Sequence, residues 1–389
     1  MIKKEKKVFY WSPFTSKVAT VFSVINSAQI LNKYSSKSGF VATIIDAVKE
    51  WDEFKKEINS KNIDLINLNS KSIFNTFKKD GFLRSRIAYW YVFFKSFKAL
   101  HNLLKEKKPE YLIVHLITSL PLILFSINNY ETKLILRISG LPKMTFLRKF
   151  IWKFASKNVF KVTCPTKATY NNLAKYEFLN KKLTILKDPV LNIAEINNKN
   201  QLINDLPEEV SKFIKQEKFF LSIGRFTKQK NFIFYLNCII ELIKNDRSLK
   251  FLIIGDGEDK KEFIELAKKN KVYQNICIHN YTKNVHYLMK QCEAFILTSL
   301  WEDPGFVLIE AAFNNCSIIS SNCPNGPEEI VGKDGGYLFK SNSKDDFLKK
   351  FYSFLEDSNE LKFVKKTIIK KRIREFTCFN HHLNLKRIL

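Results

Sequence analysis

Short apolar runs recur along the chain and alternate with longer stretches whose apolar residues fall at helical spacing. In the first half the runs are Val8–Trp11, Val41–Ile45, Ile63–Ile66, Tyr111–His115, Lys133–Ile138, Phe160–Cys164 and Leu183–Leu186. In the second they are Phe219–Ile223, Phe251–Ile254, Ile276–His279, Ala294–Thr298 and Ser317–Ser321. Such runs predict strands buried on both faces, and the segments between them predict crossover helices. The chain therefore reads as α/β with parallel sheets. Asn192–Asp205 is polar, Asn-rich and aperiodic, which predicts a linker. With 389 residues the chain exceeds one ordinary core. The expected plan is one domain over 1–200, a second over 201–361 and a basic helical tail over 362–389.

The best candidate for a membrane span, Leu112–Ser126, contains His115 and Pro121 and falls short of the roughly 20 residues a spanning helix needs. A buried strand followed by a helix is expected there instead. The opening MIKKEKK runs directly into Val8–Trp11 with no long apolar region behind it, so no signal peptide is expected. Seven cysteines, an odd number with no CxxC pair, predict reduced and mostly buried thiols in a cytosolic protein rather than a zinc site or a disulfide framework.

Charge changes the picture more. The net charge is +27, and it is unevenly spread. Residues 1–200 hold 35 Lys/Arg against 14 Asp/Glu, residues 201–361 hold 21 against 23, and residues 362–389 hold 9 against 1. A uniform compositional bias would not leave the middle slightly acidic. The excess points to an anionic partner for the first half and the tail. Glycine is skewed the other way: eight of eleven lie after residue 220, several just past a strand. Ligands of open α/β sheets bind outside the carboxyl ends of strands, and glycine there lets the backbone approach a phosphate. The second domain is thus the expected nucleotide binder.

Four segments carry the candidate chemistry. Phe219–Ile223 leads into Gly224 and Arg225, then Lys228, Lys230 and Asn231; two cations at a strand end can neutralise a leaving diphosphate without a metal. Phe251–Ile254 leads into the tight turn Gly255-Asp256-Gly257. Ala294–Thr298 leads through Glu302 and Asp303-Pro304-Gly305 into an apolar helical stretch from Phe306 that carries Glu310. Asp303 is expected to cap that helix, and its N-terminus suits an anion. A carboxylate at Glu310 needs partners, which two ribose hydroxyls would supply. Finally, Ser317–Ser321 leads through Pro324, Gly326 and Pro327 to Glu328 and Glu329 in a first helical turn, then Gly335-Gly336.

In this order and spacing the four motifs resemble the GT-B glycosyltransferases of family 4, the retaining group with an E-x7-E signature. The resemblance implies two Rossmann-like domains facing across a cleft, with the last helix returning to the first. It implies catalytic roles for Glu302, Arg225 and Lys230. It also implies donor binding by Gly224, Arg225, Lys230, Gly255, Gly257, Gly305, Phe306 and Glu310, with Glu310 on the ribose and Glu302 on the donor sugar. His115 ends a strand where the family often places a cleft histidine, which makes it a fourth catalytic candidate; a core histidine is the alternative. The Asn322–Ile330 segment is similar to that of members using UDP-hexoses or UDP-N-acetylhexosamines to build bacterial surface glycans. Two features differ. The loop after Val8–Trp11 lacks the family's paired glycines, leaving Ser16 and Lys17 as candidates in their place. Lys187-Asp188-Pro189-Val190 carries Asp188 where the family's hinge has asparagine. The segment Arg137–Pro142 ends another strand and is expected to face the cleft.

No metal or other cofactor is expected, because the second domain shows no DxD motif in a strand-end loop. The expected partners are a nucleotide-sugar donor, a glycan or polyprenyl-diphosphate-linked acceptor and an anionic membrane surface, with the enzyme peripheral on the inner face of the cytoplasmic membrane. Leu83–Leu104 and Lys143–Lys157 mix cations with aromatic and aliphatic residues and are the segments expected to meet lipid. In the second stretch Leu147, Phe150, Ile151 and Phe154 form the apolar stripe beside Arg148, Lys149 and Lys153. Two other classes compete. A sugar-nucleotide epimerase would share the fold; a basic nucleic-acid-binding protein would share the charge but not the near-neutral, glycine-bearing middle.

Overall fold

The computed structural model describes residues 5–14, 19–70, 82–138, 140–142, 144–199, 206–216 and 218–389. Ser16, Lys17 and Lys143 lie outside them. Two compact units divide the chain: Met1–Val190 with Cys378–Leu389, and Leu191–Thr377.

The first unit holds a seven-stranded sheet in the order β3-β2-β1-β4-β5-β6-β7, all pairs parallel. Its strands are β1 Lys6–Trp11, β2 Phe40–Asp46, β3 Asp64–Asn67, β4 Tyr111–Val114, β5 Lys133–Arg137, β6 Val159–Cys164 and β7 Leu183–Ile185. Alternation decides the two cores. Phe9 and Trp11 face the layer of helices Phe82–Lys107, Ser119–Ile127 and Phe146–Ala155, whereas Val8 and Tyr10 face helices Thr20–Lys33 and Cys378–Ile388. Leu112–Ser126 is a strand followed by a helix, as the pattern predicts. Among the described residues no helix is long and apolar enough to cross a membrane.

The second unit holds a six-stranded parallel sheet in the order β10-β9-β8-β11-β12-β13. Its strands are β8 Phe219–Ile223, β9 Lys250–Ile254, β10 Ile276–His279, β11 Ala294–Leu297, β12 Ser317–Ser321 and β13 Tyr337–Phe339. The sequence did not predict β13, whose three residues are too short a run to stand out. The expected linker also differs: Ile193–Lys199 is a helix, with Ile196 buried beneath it.

The break between units falls at Val190, and the return to the first unit begins at Cys378 rather than at residue 362. Helix Asn359–Arg372 stays with the second unit because Ile369 is buried there and the Arg372 guanidinium donates to Val331 O and pairs with Asp334. Of the nine cations in 362–389 only Lys386 and Arg387 therefore join the first unit.

A seam of polar side chains fastens helix Cys378–Ile388 inside the first unit. His381 Nδ1 lies 2.7 Å from Lys187 O and its Nε2 lies 2.8 Å from Ser27 Oγ. A carbonyl can only accept, so Nδ1 carries the proton and Nε2 accepts from the Ser27 hydroxyl. Ser27 Oγ is in turn 2.8 Å from Tyr10 Oη. Beside it Arg137 forms a bidentate pair with Asp188, which also accepts from Ser23 Oγ at 3.1 Å, and Asn26 Nδ2 donates to Pro189 O at 2.8 Å. Arg137 is buried in this pair, whereas Gly140 and Leu141 of the same strand-end segment are exposed.

Burial lowers the pKa of His381 to about 4, below the value near 6.5 of an unfolded chain. Between those values the unfolded state takes a proton that the folded state refuses, so this contribution is full above pH 6.5 and is lost as pH falls toward 4. Thermal unfolding of wild type is expected to weaken more steeply from pH 7 to pH 5 than that of His381→Gln; parallel curves would remove His381 as the cause.

Candidate functional site in the second unit

Strand order reverses between β8 and β11, so the connections leaving their carboxyl ends run to opposite sides of the sheet and open a crevice there. The turn after β8 supplies Gly224, Arg225 and Lys230; the turn after β11 supplies Ser299, Glu302 and Gly305. Backbone and side-chain bonds stitch the two together. Leu300 N donates to Gln229 O at 2.8 Å, Gln229 Nε2 to Trp301 O at 3.0 Å, and Thr298 Oγ1 to Lys230 O at 3.0 Å.

Within that frame Lys230 Nζ lies 2.5 Å from Glu302 Oε1, and Ser299 Oγ lies 2.6 Å from the same oxygen. Ser299 is fixed by its own carbonyl, which accepts from Ser321 Oγ at 2.6 Å. Two residues expected to act together from sequence are thus in direct contact. Ser299, Gln229, Thr298 and Ser321 had been given no role; their only signal in sequence was polarity at strand ends.

Gly224 leaves space for the lysine: a Cβ there would lie 3.1 Å from Lys230 Cγ. Arg225 follows it and is exposed. The turn after β9 packs directly on this one. A Cβ at Gly255 would sit 1.8 Å from Gly224 O, closer than any side chain allows, and Gly257 lies against the Phe226 backbone. Gly224 N donates to Ile254 O and Phe226 N to Asp256 O, at 3.0 and 2.9 Å. Glycine at 255 is therefore a condition for bringing the two phosphate-side turns together.

The helix after β11 spans Phe306–Phe313 and is preceded by Gly305 in the left-handed region at φ 97°. Gly305 occupies the cap position without a side-chain bond, which corrects the expectation that Asp303 caps this helix. A helix start is the kind of position that suits an anion. Phe306 and Glu310 are one turn apart and half-buried, while Leu308, Ile309, Ala311 and Ala312 face the core. Glu310 thus lies off the apolar face. The next loop closes over this one: Glu302 N donates to Pro324 O at 3.1 Å, and Gly326 packs against Pro304 O. Glu328 and Glu329 lie in the first turn of the short helix Pro327–Ile330.

In the first unit the strand order reverses between β1 and β4, and His115 follows β4. It is buried in a small internal cavity lined by Arg137, Thr163, Asp188 and His381. Burial first, then the charge of Arg137, holds its pKa well below the ordinary histidine value. The ring is neutral and enclosed, so the core alternative describes it and no catalytic role follows from its surroundings.

The outer faces of three neighbouring helices of this unit are apolar. Helix Phe82–Lys107 exposes Ile87, Trp90 and Phe94, the last at 71%; helix Phe146–Ala155 exposes Phe146, at 90%, with Phe150, Ile151 and Phe154. Between them helix Ser119–Ile127 exposes Ile123 and Ile127, which the sequence had not singled out. Arg86, Lys95, Lys98, Arg148, Lys149 and Lys153 are exposed on the two outer helices. The side chain of Leu147 lies outside the described residues.

A family model described as glycosyl transferases group 1 matches residues 206–371. An uncharacterized glycosyltransferase of Methanocaldococcus jannaschii is 30% identical over 261 residues, covering 61% of this chain and 62% of that protein. A Campylobacter jejuni enzyme named GalNAc-alpha-(1->4)-GalNAc-alpha-(1->3)-diNAcBac-PP-undecaprenol alpha-1,4-N-acetyl-D-galactosaminyltransferase is 28% identical over 290 residues, covering 73% of this chain and 75% of the enzyme. The match thus spans about three fifths of the first of these relatives' length. Among solved structures, Anabaena HepE in complex with UDP superposes with a TM-score of 0.74 at 12% identity over 98% of both chains, and the fold is GT-B.

Gly255→Ala is expected to lower stability by about 2–3 kcal/mol, because the new methyl group must push apart the turns after β8 and β9. Denaturant unfolding measures it, and an unchanged midpoint would contradict the close approach at Gly224.

Proposed function

We propose that this chain, whose residues 206–371 form a glycosyl transferases group 1 domain, is a retaining glycosyltransferase. It moves a hexose or N-acetylhexosamine from a UDP-linked donor to a surface-glycan or lipid-linked acceptor. The observation that carries this reading is the meeting of Lys230 and Glu302 at the β8–β11 reversal, in the loop that leads into helix Phe306–Phe313. The acceptor class is supported by the Campylobacter enzyme, whose name places its acceptor on undecaprenyl diphosphate.

In this reading the bond between the anomeric carbon and the diphosphate oxygen breaks while the acceptor oxygen approaches from the same face. Negative charge grows on the departing phosphate. Arg225, Lys230 and the amides at Gly305 and Phe306 stabilise it, and the phosphate takes the acceptor's proton. Glu302 faces the sugar, where a carboxylate favours positive charge at the anomeric carbon. Glu310 holds the ribose hydroxyls. No protein nucleophile is used, and the cations do the work that a metal would otherwise do.

A screen of nucleotide sugars by mass spectrometry, with lipid-linked acceptors, tests the activity. Arg225→Ala and Lys230→Ala are each expected to lower turnover about 100-fold or more with little change in unfolding temperature, and wild-type transfer is expected to persist in EDTA. Folded variants that transfer at the wild-type rate would overturn the phosphate site.

The apolar and basic outer faces around Trp90, Phe94, Phe150 and Phe154 fit an anionic bilayer, with aromatic rings entering the interface and lysines meeting headgroups. In this reading the acceptor's lipid end lies beside the first unit. Co-sedimentation is expected to favour anionic over neutral vesicles, to weaken in high salt and to fall about tenfold or more in a Phe150→Ser, Phe154→Ser variant. Equal binding to both vesicle types would exclude the electrostatic part; unchanged binding of the double variant would move the contact off helix Phe146–Ala155.

A further inference from the structure

We propose that Glu302 sets the affinity for the spent nucleoside diphosphate, opposing its retention once the sugar has gone. The inference rests on the reading of Lys230 as a phosphate ligand. In the structure that lysine is already engaged. Its Nζ is 2.5 Å from Glu302 Oε1, and the two side chains are only 17% and 6% exposed. Solvent therefore screens the pair little, and any diphosphate must share the cation with the carboxylate.

Moving Glu302 aside would break a second hydrogen bond besides that to Lys230. Ser299 Oγ holds the same oxygen at 2.6 Å, and Ser299 is itself buried and tied to Ser321. The backbone of Lys230 is likewise pinned, through Thr298 at its carbonyl and through Gln229 to Leu300. These contacts favour keeping cation and carboxylate adjacent when a ligand enters.

The two forms of the nucleotide differ where this matters. In a sugar nucleotide the terminal phosphate is esterified and carries one negative charge. Once freed it gains a second ionisable oxygen with a pKa of about 6, so near neutral pH it is largely doubly charged. The added charge appears at the end that held the sugar, facing Glu302. The same carboxylate that favours the sugar's developing positive charge thus disfavours the product. With the sugar in place, its hydroxyls stand between the phosphate and Glu302 and give the carboxylate donors; without it, two anions compete for one lysine. Glu302 in this account is a specificity determinant between donor and product, in addition to its contact with the sugar.

Isothermal titration with UDP, GDP and inorganic pyrophosphate decides it, using wild type, Glu302→Gln and Lys230→Ala. Gln keeps the shape and the Ser299 hydrogen bond but removes the charge. Glu302→Gln is expected to bind UDP and pyrophosphate about tenfold more tightly than wild type, and to suffer product inhibition at correspondingly lower UDP, while Lys230→Ala binds both more weakly. If Lys230→Ala weakens binding and Glu302→Gln leaves it unchanged or weaker, this inference fails and the phosphate site stands. If Lys230→Ala leaves binding unchanged, the phosphate site itself is wrong. Should the Gln variant not fold, Glu302→Asp retracts the carboxylate from Lys230 and is expected to tighten UDP binding in smaller measure; no tightening overturns the inference.

Discussion

A parallel sheet covered by helices on both faces can place polar chemistry only at its strand ends. The second unit is organised by that constraint. Its strands are buried along almost their whole length, and Lys230, Glu302 and Glu310 all lie past the carboxyl end of one of them. Lys230 and Glu302 are 72 residues apart in sequence and meet because β8 and β11 are neighbours at the one place where the sheet changes direction. Glycines then set how near the turns approach, and short hydroxyl side chains fix the backbone between them. The first unit has the same reversal at β1 and β4 but fills it differently, with His115 enclosed among Arg137, Asp188 and His381.

Strands were legible because each is a short apolar run between polar segments, and Tyr337–Phe339 escaped because three residues make no pattern. Helix Ile193–Lys199 escaped because one buried isoleucine, Ile196, carries its packing. The site was legible as a set of positions, since its spacing survives in sequence, but not as contacts. Nothing in the order of residues says that Ser299 and Lys230 share one oxygen of Glu302, or that Gly305 rather than Asp303 precedes the helix. Arg137 read as a cleft residue because it ends a strand. Its true partner, Asp188, is 51 residues away, at the position where the resembling family has asparagine. The two departures explain each other: a buried guanidinium needs a full counter-charge, which an amide cannot supply.

Charge counts along the chain were a better guide to face than to segment. The basic excess of the first 190 residues does coincide with exposed apolar side chains on three helices of one sheet face, aromatic on two of them. The basic tail does not add to it as a block. Most of its cations lie on helix Asn359–Arg372, where Lys365 pairs with Asp357 and Arg372 with Asp334. Sequence proximity to the last helix suggested a single patch; packing divides it at Thr377.

The first unit is built from two pieces of chain separated by the whole of the second. Helix Cys378–Ile388 supplies Leu385 to the core and His381 to the seam with Ser27 and Lys187. During synthesis from the N-terminus, the sheet of this unit must wait with that groove unfilled while residues 191–377 are made and fold on their own. Docking of that helix closes a loop that contains the whole second unit. A chain that stops short of Cys378 would leave the Leu385 position of that core and the Ser27–Lys187 seam unfilled, however well the strands around them had formed.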